Sequence, residues 1–273
     1  MLLSLSFAAA FLAAAMSTAW AVQRRTGNSG WIDTIWSFAV GAAGVGIALA
    51  SSGADAPGPR QWLVAALAAI WAARLGGYIA ARSKGAAEDP RYAWLMQEWG
   101  EDASRRLFMF LQAQALAGLI LVLAIGVAAR DPSPALRPLD VLGALVFALA
   151  LAGAALADEQ LRRFRADASR RGGVCEDGLW AYSRHPNYFF EWLGWCAFPL
   201  IALSGGGWIG LIALAAPALM YYLLAHVSGV PPLEAHMERS RGAAFADYRA
   251  RVNAFFPGPR KSPRRDAEPG AAR

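Results

Sequence analysis

The stretch from Asp158 to Glu191 gathers most of the residues in this chain that could do chemistry. It opens Asp-Glu-Gln-Leu-Arg-Arg-Phe-Arg (158–165) and closes Glu-Asp-Gly-Leu-Trp-Ala-Tyr-Ser-Arg-His-Pro-Asn-Tyr-Phe-Phe-Glu (176–191). On a helix, Arg162 and Arg165 share nearly one face with Asp158. Guanidinium forks suit phosphates, because they grip two oxygens at once and never lose their charge. Pro186 stands where a helix-opening proline stands, so Asn187 and Tyr188 lie beside free backbone N–H groups and the positive end of a helix dipole. A basic loop of this kind could merely touch anionic lipid headgroups. Tyr182, Arg184, His185, Asn187 and Glu191, interleaved with the arginines, instead describe a pocket for a charged cofactor.

These residues sit among long apolar stretches. Of 273 residues, 56% are apolar and 17% charged, and the charges cluster between segments that carry almost none. A helix needs roughly 20 apolar residues to cross a ~30 Å hydrocarbon core, and only helices or closed barrels satisfy their backbone there. The alternating pattern of barrel strands is missing. Apolar runs near 2–22, 31–52, 61–81, 107–129, 139–158, 188–204 and 206–228 predict an all-α polytopic membrane bundle of about seven transmembrane helices. The first run is read as a retained helix and not a signal peptide, since no basic residue precedes it. All lysines and arginines except Arg60, Arg74, Arg130 and Arg137 fall after odd-numbered spans. The positive-inside rule then puts the N-terminus outside and the C-terminus in the cytoplasm, as in a bacterial-type inner membrane. Topology thus accounts for the net charge of +6, and no nucleic-acid partner is needed. Cys175 and Cys196 give neither a disulfide framework nor metal-ligand spacing. Residues 1–258 read as one membrane domain, and 259–273 as a disordered basic tail.

An ionisable side chain inside a span asks for a partner or a job. Asp33 opens the second span, Arg74 lies in the third, Asp158 and Glu159 close the fifth, and Glu191 is one turn into the sixth. Asp33 and Arg74 could form an interhelical ion pair, and Glu191 could cap a polar loop. Against that, Asp33, Asp158 and Glu191 all lie at the helix ends that face the arginine-rich loops.

Gly178-Leu-Trp-Ala-Tyr-Ser-Arg-His-Pro-Asn-Tyr188 with Glu191 resembles the C-terminal region of the steroid 5α-reductase family, its bacterial membrane branch above all. The likeness extends to Asp33–Trp36, to Arg74 with Tyr78, to Glu88-Asp-Pro-Arg-Tyr92, and to Pro232-Leu-Glu234 with Arg241, Tyr248 and Phe256-Pro257. It implies a 3-oxo-5α-steroid 4-dehydrogenase-like enzyme that uses NADPH to reduce the C=C bond of an enone in a lipophilic, steroid-like substrate drawn from the bilayer. The family's Asn-x-x-x-Asp appears here as Ala154 to Asp158, and its Asn-x-x-x-Glu as Asn187 to Glu191. The implied cofactor set is Arg74, Asp158, Arg162, Arg165, Tyr182, Arg184, His185, Asn187, Glu191, Glu234, His236 and Arg241, with no metal. Asp33 and Tyr78 are the implied catalytic pair. Hydride transfer builds negative charge on the carbonyl oxygen, which a desolvated carboxyl or a phenol could stabilise. Integral membrane methyltransferases acting on isoprenylcysteine or phospholipid also carry Arg-His-Pro-x-Tyr and bind S-adenosylmethionine. Here, however, Phe189 follows Tyr188 where they commonly have Gly, and Ala235 breaks their Glu-Glu pair.

Overall fold

The structure is a computed structural model that describes residues 2–50, 56–85, 88–130, 135–205 and 207–261. It is 83% helical and, among the described residues, contains no strand. Eleven α-helices follow in order among those residues: α1 Leu2–Thr26, α2 Gly30–Ala50, α3 Pro59–Ser83, α4 Pro90–Trp99, α5 Ala103–Ala129, α6 Pro138–Ala166, α7 Pro186–Trp195, α8 Ala197–Leu203, α9 Ala215–Tyr222, α10 Val230–Arg241 and α11 Ala243–Arg251. Prolines open five of the helices that follow loops, α3, α4, α6, α7 and α10 within one residue, as the absent N–H and fixed φ of proline favour.

Six helical stretches are long and apolar enough to cross a membrane, one fewer than the apolar runs suggest. The difference lies at 188–204, which folds as α7 and α8 broken at Cys196. The last stretch, Trp208–Arg241, also departs from a plain α-helix. It starts as a 3-10 segment, Trp208–Leu214, and contains a π-helical turn, Leu223–Val227.

Among the described residues the chain divides into two compact units, one within 2–148 and 194–220, the other within 149–193 and 221–261. In the first, α2 packs between α1 and α3, and α5 meets α1, α2 and α8. Gly41 lets α2 approach the Ala72 side chain so closely that an added Cβ would collide with it. Small residues do this work in membranes, where no hydrophobic force drives helices together. Trp71, 4% exposed, lies edge-on to Trp36 at 6.1 Å and to Trp195 at 4.9 Å. The Trp36 indole N–H donates to the Gln114 carbonyl at 2.9 Å. Trp36 and Trp71 thus pack between helices of the first unit.

In the second unit, Gly153 of α6 leaves room for the Phe190 ring of α7. Phe189, Trp192, Tyr221, Phe255 and Phe256 form one aromatic cluster with ring centres 5.2–6.4 Å apart. The chain after α11 is tied down past the boundary expected at 258. The Gly258 N–H donates to the Tyr182 carbonyl and that of Lys261 to the Arg251 carbonyl, while Glu176 pairs with Arg251 and Arg260 at 3.0 Å. The rest of the expected tail, 262–273, lies outside the described residues.

Candidate functional site

In the second unit, the carboxylate of Glu234 on α10 gathers the loop before α7. Arg184 donates to it through Nε at 2.7 Å and Nη2 at 3.1 Å, and His185 Nε2 lies 3.0 Å from the same Oε1. Arg184 is occupied elsewhere too, donating to the carbonyls of Val252 at 2.6 Å and Arg249 at 3.2 Å. Its guanidinium thus ties the loop to α10 and to the chain beyond α11. The Ser183 hydroxyl adds a bond to the Phe255 carbonyl at 2.8 Å, and Tyr248 donates to the Trp180 carbonyl at 2.7 Å.

His185 is 3% exposed, and burial, which disfavours the charged ring, holds its pKa below the ordinary histidine value despite Glu234. A neutral ring that donates from Nε2 to a carboxylate has a bare acceptor at Nδ1, and that atom is buried with no hydrogen-bond partner. The ring stacks on Tyr188 at 5.6 Å with planes 10° apart. Asn187 donates to Asp158 of α6 at 3.4 Å, so two of the expected cofactor residues meet here, and Glu191 follows one turn along α7. The other expected residues are spread out. Arg162 is exposed and paired with Glu159 at 2.6 Å. Arg165, His236 and Arg241 are exposed, as is Tyr182 at 54%.

In the first unit, the partner of Asp33 is Arg91, not Arg74. Arg91 Nη2 donates to Asp33 Oδ2 at 2.7 Å and the Tyr92 hydroxyl to Oδ1 at 2.9 Å. Gln114 on α5 in turn donates to the Tyr92 oxygen at 3.1 Å. Asp89 caps α4 by accepting from the Arg91 N–H at 3.0 Å and also takes the Arg91 guanidinium. Burial raises the Asp89 carboxyl, but the hydrogen bonds and charge of Arg91 outweigh it and hold the pKa below the ordinary aspartate value. The Arg74 guanidinium stands 6.0 Å over the ring of Tyr78, which is 38% exposed.

A family model covers residues 19–252. The chain belongs to the DUF1295 family, proteins of unknown function. No curated protein and no solved structure matches it. Every expected site residue of this DUF1295 protein lies inside the matched region.

Sequence reasoning missed a charged knot in the first unit. Arg60 and Asp140, 1% and 0% exposed, pair at 2.7 Å, and both also bond the Ser204 hydroxyl. Asp140 accepts the Arg137 N–H at 2.8 Å, and Arg137 donates to the Ser204 carbonyl at 2.6 Å. The charge pattern puts Arg60 and Arg137 in the loops that follow even-numbered spans; Arg137 does lie just before α6, whereas Arg60 is in the first turn of α3. The available signal was position, since each charge of the pair follows within two residues of a proline that opens an apolar helix. Arg91 and Tyr92 were legible in the same way, since Asp89-Pro90 reads as a helix cap followed by a first-turn proline.

Proposed function

We propose that this DUF1295 protein is a membrane-embedded, NADPH-dependent reductase that saturates the C=C bond of an enone in a lipophilic, steroid-like substrate. The observation that carries the reading is the buried, partnerless Nδ1 of His185, held in place by Glu234 beside the Asp158–Asn187 contact. A buried acceptor costs free energy until something donates to it. The ligand that fits must bring N–H or O–H groups to this spot and negative charge to the exposed arginines of α6, Arg162 and Arg165. The carboxamide, ribose hydroxyls and phosphates of NADPH supply both.

When bound, NADPH supplies the hydride. The chain's own residues bind and orient. His185 Nδ1 accepts a hydrogen from the ligand, Asn187 and Glu191 face it from α7, and Arg162 and Arg165 offer guanidinium groups to its phosphates. Arg162 must exchange Glu159 for phosphate, a small cost because exposed pairs contribute only ~0–1 kcal/mol. Arg184 acts as a positioning residue through Glu234. Tyr78 is assigned the hydroxyl that donates to the substrate ketone. Asp33, which the resemblance makes a hydrogen donor, has both oxygens accepting from Arg91 and Tyr92, and so is assigned to holding the start of α2. The proposed setting is the inner membrane.

The test is calorimetric titration of the purified full chain with NADPH and with S-adenosylmethionine. The reductase reading expects binding of NADPH only, weakened about tenfold or more in His185→Ala, the loss expected for one hydrogen bond in a buried site. Binding of S-adenosylmethionine alone overturns it in favour of a methyltransferase, and binding of neither overturns both.

A further inference from the structure

Away from these residues, α1, the 3-10 turn Gly100–Asp102 and the first turns of α5 border a shallow, open groove of about 470 Å³ in the first unit, lined by Trp20, Glu101, Asp102, Ser104, Arg105 and Phe108. Trp20 is its fixed wall. The indole N–H donates to the Ser104 carbonyl at 3.0 Å, the ring meets Phe108 edge-on at 5.6 Å, and the Arg24 guanidinium stands 4.8 Å over it. The polarity is graded along the chain. Two acids come first, then Ser104 and Arg105, and one helical turn further into the apolar run of α5 comes Phe108, 37% exposed, beside Met109, 61% exposed.

Glu101, Asp102 and Arg105 line one groove, yet among the described residues none of them forms an ion pair, and all three are exposed. Opposite charges that share a groove without neutralising each other leave a negative and a positive site side by side. That pattern complements a zwitterion, and the apolar step at Trp20 and Phe108 complements something greasy attached to it. A tryptophan at the end of a membrane helix belongs at headgroup depth.

We propose that this groove binds the headgroup of an aminophospholipid of the phosphatidylethanolamine type. The phosphodiester lies against Arg105 and Arg24, the primary ammonium donates to Glu101 and Asp102, and an acyl chain runs over Phe108. A phosphatidylcholine headgroup carries the same charges but has no N–H to donate, and a phosphatidylglycerol headgroup has no cation for the acids.

The inference is independent of the proposed reaction and is tested without cofactor. Full-length protein in detergent is mixed with equal amounts of phosphatidylethanolamine, phosphatidylcholine and phosphatidylglycerol, and the lipid retained is weighed by native mass spectrometry. The expected result is phosphatidylethanolamine retained about fivefold over either competitor, a ratio typical of one exposed charge-assisted contact. The Glu101→Gln/Asp102→Asn double variant should bind phosphatidylethanolamine and phosphatidylcholine alike, and Arg105→Ala should retain less of every lipid. Equal retention by the parent, a preference for phosphatidylglycerol, or an unchanged ratio in the double variant overturns the proposal. So does a rise in melting temperature with inorganic phosphate equal to that with the lipid, which would mark a site for free phosphate. The parent's own ratio decides the matter even if a variant fails to fold.

Discussion

At the scale of single residues, His185 turns burial into a pH dependence. Its folded-state pKa is lowered by desolvation, so the unfolded chain takes up the proton first. The stability that neutral His185 contributes is therefore full above the ordinary value near ~6.5 and is lost as the pH falls through the lowered one. Melting temperatures measured between about pH 8 and pH 5 should fall on the acid side for the parent and fall less for His185→Gln. Identical slopes would mean that the ring contributes no such term. Asp33 and Tyr78 divide differently. Asp33→Asn removes the charge that holds Arg91, and should cost about 1–3 kcal/mol of stability while turnover per folded molecule stays near the parent's. Tyr78→Phe should fold normally and lose turnover by at least ~10²-fold, the lower range for removing such a donor. A stable Asp33→Ala that loses turnover by at least ~10²-fold while Asp33→Asn, whose amide can still donate, keeps it would return the donor role to Asp33.

At the scale of elements, the helices are held by contacts that hydropathy does not advertise. The pair of Arg60 on α3 with Asp140 on α6, together with Ser204 after α8, fastens three elements of the first unit. Removing one member of a fully buried pair leaves an uncompensated charge, so Arg60→Ala or Asp140→Ala should each lose about 3–5 kcal/mol in reversible detergent unfolding. Replacing both, as Arg60→Met with Asp140→Leu, should lose less than either single change. A double variant as unstable as the sum of the two would show that the charges are not coupled. The break at Cys196 is also an element-scale feature: α7 remains short, with Asn187 and Glu191 on its first turns and Trp195 at its end packed on Trp71.

At the scale of the whole molecule, the count of crossings depends on that break. Six stretches qualify as spans by length and composition, and α7 with α8 would make a seventh if the pair runs through the membrane. The proposed topology has an odd number of crossings, with the N-terminus outside and the C-terminus in the cytoplasm. Reporter fusions at both ends should accordingly give opposite signals, active periplasmic phosphatase at the N-terminal end and a fluorescent C-terminal fusion. Equal signals would make α7 and α8 a re-entrant pair and bring both termini to one side.

The membrane class of this protein was legible without any structure, because a run of some 20 apolar residues has no other way to satisfy its backbone in lipid. The helix positions of Asp158 and Asn187, which do meet, were legible too, since proline and the helical repeat fix where such residues fall on their own helices. The choice of partners was not legible. Hydropathy tells that a helix is buried in lipid but not how it is rotated about its axis or how deep it sits against its neighbours, and those two quantities decide every contact between helices. Asp33 could equally have met Arg74, and Arg60 could have stayed in a loop. Only packing at the start of α4 gave Asp33 to Arg91 and Tyr92, enclosed Arg60 with Asp140, and brought Glu234, far along the chain, to the loop that carries Arg184 and His185.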